Sequence, residues 1–351
     1  MKNKKLYIIG NGFDIAHNLK TRYLDFMIWL YNNDKNTFDN LNNLFLESLD
    51  RRRIDIKNDS VIESRVENDY AYKILKEQFS DPLILYKLWL QLEDYMYCVF
   101  LDRELKEVES EKKALLDLFQ EEEYGPVIEL DLSYISRPWL DYFNKLIKLG
   151  NDFYSNLLTW VEEIDCSISD INDCIKNSSN KNGLKMNVLP NDFFSDDDFI
   201  INFNYSKTIE ILYSKKPYHI HSSCDSKNPP IMGHNQNISD LFAIDDKELI
   251  LVEKFYKDID SIIANNEVLF NKLHDFQEII VIGLSYSKTD YPYIEKISSM
   301  LPNAKWTLYY YSESDYNNAE NYINKLKDIG EINASCKSLK EYPLFTKVVE
   351  Y

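Results

Sequence analysis

The spacing of hydrophobic and polar positions changes twice along the chain. Residues 6–9 form a continuous apolar run that ends in two closely spaced glycines, which predicts a buried strand and a turn. From about residue 32 to residue 195, apolar residues recur at steps of three and four among many charges, as in packed helices. After residue 198, short β-type runs alternate with helical ones. The pattern therefore predicts an α/β fold with a large helical segment in its middle.

The alternation after residue 198 predicts a parallel sheet, because strands that alternate with helices need crossover connections. With the N-terminal strand, it gives a mainly parallel, Rossmann-like domain of residues 1–30 and 196–351 and a helical insertion of residues 31–195. Ligands of such sheets bind outside the carboxyl ends of the strands. The predicted strands are 199–203, 218–221, 278–283 and 305–311, and the predicted helices are 206–213, 246–273, 290–300 and 314–329.

Composition and charge narrow the class of partner. The chain has 351 residues with 40 Lys and Arg against 58 Asp and Glu, so its net charge of −18 argues against extended nucleic acid. No apolar run approaches the ~20 residues that cross a bilayer, and the N-terminus leads into a strand. The five cysteines are scattered without a C-x-x-C pair, which favours free thiols. We therefore expect a cytoplasmic protein with a small-molecule partner and no membrane contact.

The first strand ends in Gly10, Asn11 and Gly12, followed by Asp14 at the start of a helical pattern. Glycines remove the Cβ atoms that would hold a phosphate or ribose away from the backbone, and asparagine tolerates a left-handed conformation. The free N–H groups of a following helix would then face an anion. A tight turn without a ligand explains the pair nearly as well, because the third glycine of the dinucleotide fingerprint is missing.

The next two predicted strands end in polar side chains. Asn204 could hold ribose hydroxyls or water, or it could cap the following helix, for which Ser206 is an equally good cap. His219 and His221 are two of the five histidines, and residues two apart on a strand share a face. They suggest a general base, a metal site or simply a hydrogen-bonded cleft wall. No compact ligand set completes a metal site, so no metal is expected.

The fourth strand end contains Gly283, Ser285 and Asp290. The segment starts like the G-x-S-x-G elbow of serine hydrolases but lacks its second glycine, which disfavours that class. Gly283 could allow close approach of a ligand, with Ser285 donating to a ribose or phosphate. Asp290 fits a helix N-cap, with a proline two residues later.

Residues 8–17, Ile-Ile-Gly-Asn-Gly-Phe-Asp-Ile-Ala-His, with residues 21–26, Thr-Arg-Tyr-Leu-Asp-Phe, resemble the N-terminal signature of the AbiH-type bacteriophage abortive infection proteins. Residues 203–210, 219–221 and 283–290 are similar to later motifs of that family, in the same order. The resemblance spans both ends of the chain. It implies an antiviral defence role in which the protein acts on a phage-infected cell.

The layout of this family is in turn similar to that of sirtuin-like NAD-binding defence domains, many of which hydrolyse NAD. The resemblance implies that Asn204 takes the place of the catalytic asparagine and His221 that of the catalytic histidine. Gly10, Gly12 and Asp14 would lie along the dinucleotide. One departure is Ser222, since the family usually has glycine after its second histidine.

The expected activity is therefore that of an NAD glycohydrolase, with NAD as the substrate, which cleaves the nicotinamide–ribose bond without a metal. The binding residues would be Gly10, Asn11, Gly12, Asp14, His219, Gly283, Ser285 and Asp290, and the catalytic residues Asn204 and His221. The alternatives are a nucleotide-sensing or partner-binding defence module without hydrolysis and an RNA-targeting toxin. A phage-derived trigger is expected as a partner, and helical faces rich in Tyr and Phe suit a homo-oligomer or a core equally well.

Overall fold

The computed structural model of the protein describes residues 4–52, 66–90, 92–93, 133–176, 185–190, 192–223, 230–233, 255–286, 289–329, 332–339 and 347–350. The chain divides into two compact units. The sheet unit contains residues 1–22, 159–231 and 258–351, and the helical unit contains residues 23–158 and 232–257. The domain limits expected from the sequence, at residues 30 and 196, stay a prediction.

A six-stranded parallel sheet organises the sheet unit. Its strands are β1 (Lys5–Ile9), β3 (Phe199–Asn202), β4 (Tyr218–His219), β5 (Glu278–Ile282), β6 (Lys305–Tyr310) and β7 (Asn333–Ser338). They lie in the order β4-β3-β1-β5-β6-β7. A separate antiparallel pair joins β2 (Lys185–Val188) to β8 (Lys347–Glu350).

The strand order is that of a doubly wound dinucleotide-binding sheet. Counted within the six-stranded sheet alone, the strands follow the order 3-2-1-4-5-6. The chain leaves β1 for β3 on one side and later places β5 on the other side of β1. The crevice at this reversal, outside the carboxyl ends of β1 and β5, is where such sheets bind ligands. The prediction of a mainly parallel, Rossmann-like α/β fold is confirmed.

Helices account for most of the remaining described residues, and we number them in chain order. They are α1 (Gly12–Ala16), α2 (Tyr23–Asn33), α3 (Lys35–Arg52), α4 (Tyr70–Gln78), α5 (Pro82–Leu90), α6 (Ser133–Lys176), α7 (Thr208–Tyr213), α8 (Ile259–Asn265), α9 (Glu267–Phe270), α10 (Tyr291–Met300) and α11 (Glu313–Ile329). Two 3-10 turns add Val66–Asn68 and Leu273–Asp275. No helix in the described part of the chain combines the length and apolar character that a membrane crossing requires.

Alternating side chains of the central strand build a core on each face of the sheet. Leu6 and Ile8 of β1 pack with Ile294 of α10 on one face. Tyr7 and Ile9 of β1 pack with the other core, which includes Ile209 of α7. Both faces of β1 are therefore buried, which explains its uninterrupted apolar run.

The helical unit has an aromatic core of its own. Trp89 is fully buried and meets the rings of Phe26 and Phe45 edge to face. Its indole N–H donates to Asn42 Oδ1 at 2.9 Å, so the one polar atom of the ring is satisfied inside the core.

Two predicted elements differ from the structure. Residues 246–254 of the predicted helix 246–273 lie outside the described residues, and the remainder breaks into α8, α9 and a 3-10 turn. The break begins where Asp258 accepts the backbone N–H of Ser261 and caps α8. The predicted strand 218–221 ends at His219, because the chain turns at residues 220 and 221.

Candidate functional site

The turns after β1 and β5 pack directly against each other. Gly10 N donates to Ile282 O at 3.0 Å, and Gly12 N donates to Gly283 O at 2.8 Å. A Cβ atom on Gly10 would lie 2.6 Å from Gly283 O, and one on Gly12 would lie 2.6 Å from Gly283 Cα. These glycines are therefore required by the contact between the two turns.

The N–H groups of Gly10, Gly12 and Phe13 are not free to bind an anion at this turn. The N–H groups of Gly10 and Gly12 are used between the turns, and Phe13 N donates to Gly10 O at 2.9 Å. Asn11 has φ −59° and is not left-handed; its Nδ2 donates to Thr21 O at 2.8 Å. The left-handed residue of this contact is Gly283, with φ +71°.

Asp14 places a carboxyl group in the interior beside the end of β3. Its Oδ2 accepts a short hydrogen bond from Ser206 Oγ, whereas its buried Oδ1 has no hydrogen-bond partner. Burial raises the pKa of Asp14 to about 6, the charge of Glu210 adds to the increase, and the hydrogen bond from Ser206 opposes it. Such a carboxyl group exchanges a proton near neutral pH.

Asn204 joins the carboxyl ends of β1 and β3. Its side chain is buried and donates from Nδ2 to Gly10 O at 3.2 Å. Its own N–H donates to Asn202 Oδ1 at 3.1 Å. Neither Asn204 nor Ser206 caps α7, because the N-cap position is Lys207 and no side chain makes the capping bond. The interpretation of Asn204 and Ser206 as helix caps is therefore wrong.

His219 is held between β3 and α7. Its Nδ1 lies 2.9 Å from Asn204 O, which can only accept, and its Nε2 lies 2.7 Å from Glu210 Oε1. Burial lowers the pKa of His219, but the hydrogen bond and charge of Glu210 outweigh it, so the pKa is raised. The second carboxylate oxygen of Glu210, Oε2, is buried without a partner.

His221 lies on the other face of the sheet. Its ring packs edge to face against Phe203 and Tyr293, and its Nε2 is 3.3 Å from Tyr293 Oη. The prediction that His219 and His221 project together is wrong, because β4 ends at His219 and the strand period does not extend to residue 221.

Ser222 follows this histidine in the left-handed region, with φ +65°. A residue with a side chain loses about 1–2 kcal/mol of stability in this region, and glycine avoids that loss. Glycine also loses more conformational entropy on folding, which offsets part of the gain. We therefore expect Ser222→Gly to stabilise the protein by about 0.5–1 kcal/mol. Urea denaturation measures the change. The matched control is Ser223→Gly, at a position outside the left-handed region, which should not stabilise. A lower midpoint for Ser222→Gly would contradict the prediction.

Ser285 and Asp290 form a pair after β5. The exposed Ser285 Oγ donates to Oδ2 of the buried Asp290 at 3.0 Å. Asp290 occupies the N-cap position of α10, but its side chain makes no capping bond. The prediction that Asp290 is the N-cap residue is therefore confirmed, but the capping hydrogen bond expected from its side chain is absent.

Several residues of the site were not singled out from the sequence. Thr208 and Glu210, together with Ser206, which was considered only as a helix cap, surround Asp14 and His219. They all fall within the motif 203–210, so that motif was the available signal. Asp165 of α6 joins them, accepting Lys207 N at 2.8 Å, and burial raises its pKa to about 6.

His17, the last residue of the N-terminal motif, serves the fold. Its Nδ1 lies 2.8 Å from Phe13 O, which can only accept, so Nε2 accepts from Tyr213 Oη at 2.5 Å. Tyr213 Oη in turn accepts Leu189 N at 2.9 Å. Burial lowers the pKa of His17 to about 4, so the ring is neutral near pH 7.

The strand ends therefore provide two groups with different chemistry. On one side of the sheet, Asp14, Asn204, Glu210 and His219 form a buried acidic group, whereas His221 lies on the other face. Among the described residues, no three His, Cys, Asp or Glu side chains are arranged to hold a metal ion.

Comparison with known proteins adds one finding. The family described as "Bacteriophage abortive infection AbiH" matches residues 6–310, which includes all four strand ends. No curated protein matches the chain.

Proposed function

The chain belongs to the AbiH family of bacteriophage abortive infection proteins, and we propose that it acts in this role by hydrolysing NAD at the nicotinamide–ribose bond. The observation that carries the proposal is the 3-2-1-4-5-6 order of the main sheet, with buried polar side chains at the carboxyl ends of β1 and β3. NAD would bind as the substrate at this edge of the sheet. Gly283, Ser285 and Asp290 border the same crevice after β5.

The reaction needs an oriented ribose and an activated water molecule. The oxygen of water forms a bond to the anomeric carbon while the bond from that carbon to the pyridinium nitrogen breaks, and the electron pair leaves with neutral nicotinamide. Asn204 would orient the ribose from its fixed position beside Gly10 O. From the other face of the sheet, His221 would take the proton of a water molecule held in the crevice and release it to solvent. In the tautomer whose Nε2–H donates to Tyr293 Oη, Nδ1 would accept this proton.

We assign the two parts of the chain to different tasks. Residues 1–30 and 196–351 would form the nucleotide-binding domain that contains the site. The helical insertion of residues 31–195 would control this site by responding to a phage-derived trigger. A cytoplasmic location fits this assignment, since NAD is a cytoplasmic cofactor of the infected cell.

Chromatography of NAD and nicotinamide tests the proposal. Wild-type protein with phage lysate should release nicotinamide, and His221→Ala should lower the rate about 100-fold or more, the usual contribution of a general base. The matched control is His274→Ala, whose side chain is 69% exposed and should not affect turnover. Intact NAD with wild-type protein would refute hydrolysis. Binding of NAD without turnover would favour a nucleotide sensor.

A further inference from the structure

Two carboxylate oxygens in the buried acidic group lack a hydrogen-bond donor. Asp14 Oδ1 and Glu210 Oε2 are buried without a partner, although the other oxygen of each is paired, with Ser206 Oγ and His219 Nε2 respectively. Buried acceptors in folded proteins are almost always paired with protein, with ordered water or with a ligand. Two such oxygens on electrostatically coupled side chains therefore point to a ligand that supplies donors.

The charge of this group selects the chemistry of that ligand. The neighbouring Asp165 adds a third carboxyl group: the charges of Asp14 and Glu210 raise the pKa of Asp165, and the charge of Glu210 also raises the pKa of Asp14. The basic side chains beside these carboxyl groups are His219 and Lys207. Three carboxylates repel a phosphate and attract hydroxyl donors or a positive charge. A riboside that carries a pyridinium ring has both features, and the ribosyl group becomes more positive as its bond to the ring breaks.

We propose that Asp14 and Glu210 form the site for the ribose hydroxyl groups next to the bond that is cleaved. The proposal rests on the proposed NAD site and orients the substrate in it: the nicotinamide riboside half lies at β1 and β3, and the pyrophosphate lies away from the carboxylates. The group reaches the surface at Glu210, whose side chain is 29% exposed. Asn204, which is hydrogen-bonded to both Gly10 and His219, fixes the backbone between the two acids.

Titration calorimetry with nicotinamide riboside, a cationic riboside without phosphate groups, tests the site directly. Wild-type protein should bind the riboside, and Asp14→Asn and Glu210→Gln should each weaken binding about tenfold or more, the usual loss for a hydrogen bond to a charged group. The matched control is Asp198→Asn, which lies at the start of β3, at the opposite edge of the sheet, and accepts Lys5 N and Ser195 N. Its affinity for the riboside should equal that of the wild type.

Each result separates this site from the proposed activity. Wild-type affinity in both Asp14→Asn and Glu210→Gln, or no riboside binding by wild-type protein, would overturn the assignment even if NAD is hydrolysed. Riboside binding that depends on Asp14 and Glu210, with NAD left intact, would support the site and refute the hydrolysis. Tighter binding of inorganic pyrophosphate by Asp14→Asn than by the wild type would further support the exclusion of phosphate from this group.

Discussion

Replacing Gly283 by alanine should leave much less folded protein. Gly283 has φ +71°, and a Cβ atom there would overlap the backbone N of Phe13 and lie 2.7 Å from Gly12 Cα. The left-handed conformation costs about 1–2 kcal/mol for alanine, and the overlap with backbone adds about 1–3 kcal/mol. A loss of about 2–5 kcal/mol is a large part of the 5–15 kcal/mol that stabilises a typical domain.

Urea denaturation and soluble yield measure the effect of Gly283→Ala. Ser285→Ala is the matched control in the same turn, because its side chain is exposed and its loss should cost about 1 kcal/mol or less. The stability of Gly12→Ala should fall between those of the two variants. Its new Cβ atom would overlap the backbone of Gly283, but Gly12 itself is not in the left-handed region. Wild-type stability of Gly283→Ala would mean that the two turns do not pack as described.

The sequence was sufficient for four strands of the main sheet because each contains a run rich in apolar, β-type residues. Those runs predicted β1, β3, β5 and β6 to within two residues at each end. By contrast, β7 was missed because its only apolar residues, Ala334 and Cys336, are too few among the polar residues of this edge strand to give a clear signal. The pair β2 and β8 joins residues 185–188 to residues 347–350, and local periodicity contains no information about such distant pairing.

The candidate site was predictable in position but not in its interactions. Strand ends and glycines located Asp14, Asn204 and Gly283 at one edge of the sheet, where the structure has them. The sequence could not show which atoms lie against Gly10 and Gly12. These atoms belong to the turn at Gly283, about 270 residues later in the chain, and they occupy the space that a Cβ atom would need. His221 lies on the opposite face because the chain leaves the strand after His219. The two-residue alternation of side chains along a strand gives no information about where the strand ends.

The same buried carboxyl group that we assign to ribose binding should reduce the stability of the fold. Asp14→Asn should raise the free energy of unfolding above pH 6 by up to about 3 kcal/mol, because the pKa of Asp14 is about 6 in the fold against an ordinary value of 3.8. Asparagine has a similar shape, can still accept from Ser206, and carries no charge to bury. Its neutral side chain also removes a charge that raises the pKa of Asp165.

The pH dependence of this gain has a definite sign. Below pH 3.8 the carboxyl group is protonated in both the folded and the unfolded state, so Asp14→Asn and wild type should be equally stable. Between pH 3.8 and about 6 the unfolded state loses its proton first, so the wild type loses stability with rising pH and the advantage of the variant grows. Above pH 6 the difference should be constant.

Paired urea titrations of wild type and Asp14→Asn at several pH values test this expectation. The difference between the two proteins is the required quantity, because His17 changes stability in the opposite direction: its pKa of about 4 means that both proteins lose stability as the pH falls from 6.5 towards 4. Asp198→Asn, which weakens an acceptor of two backbone N–H groups, should instead be less stable than the wild type near pH 7.

A less stable Asp14→Asn at pH 7.5 would show that the carboxylate is compensated by a cation. A more stable variant that binds riboside poorly would show that this residue is kept for binding at the expense of stability.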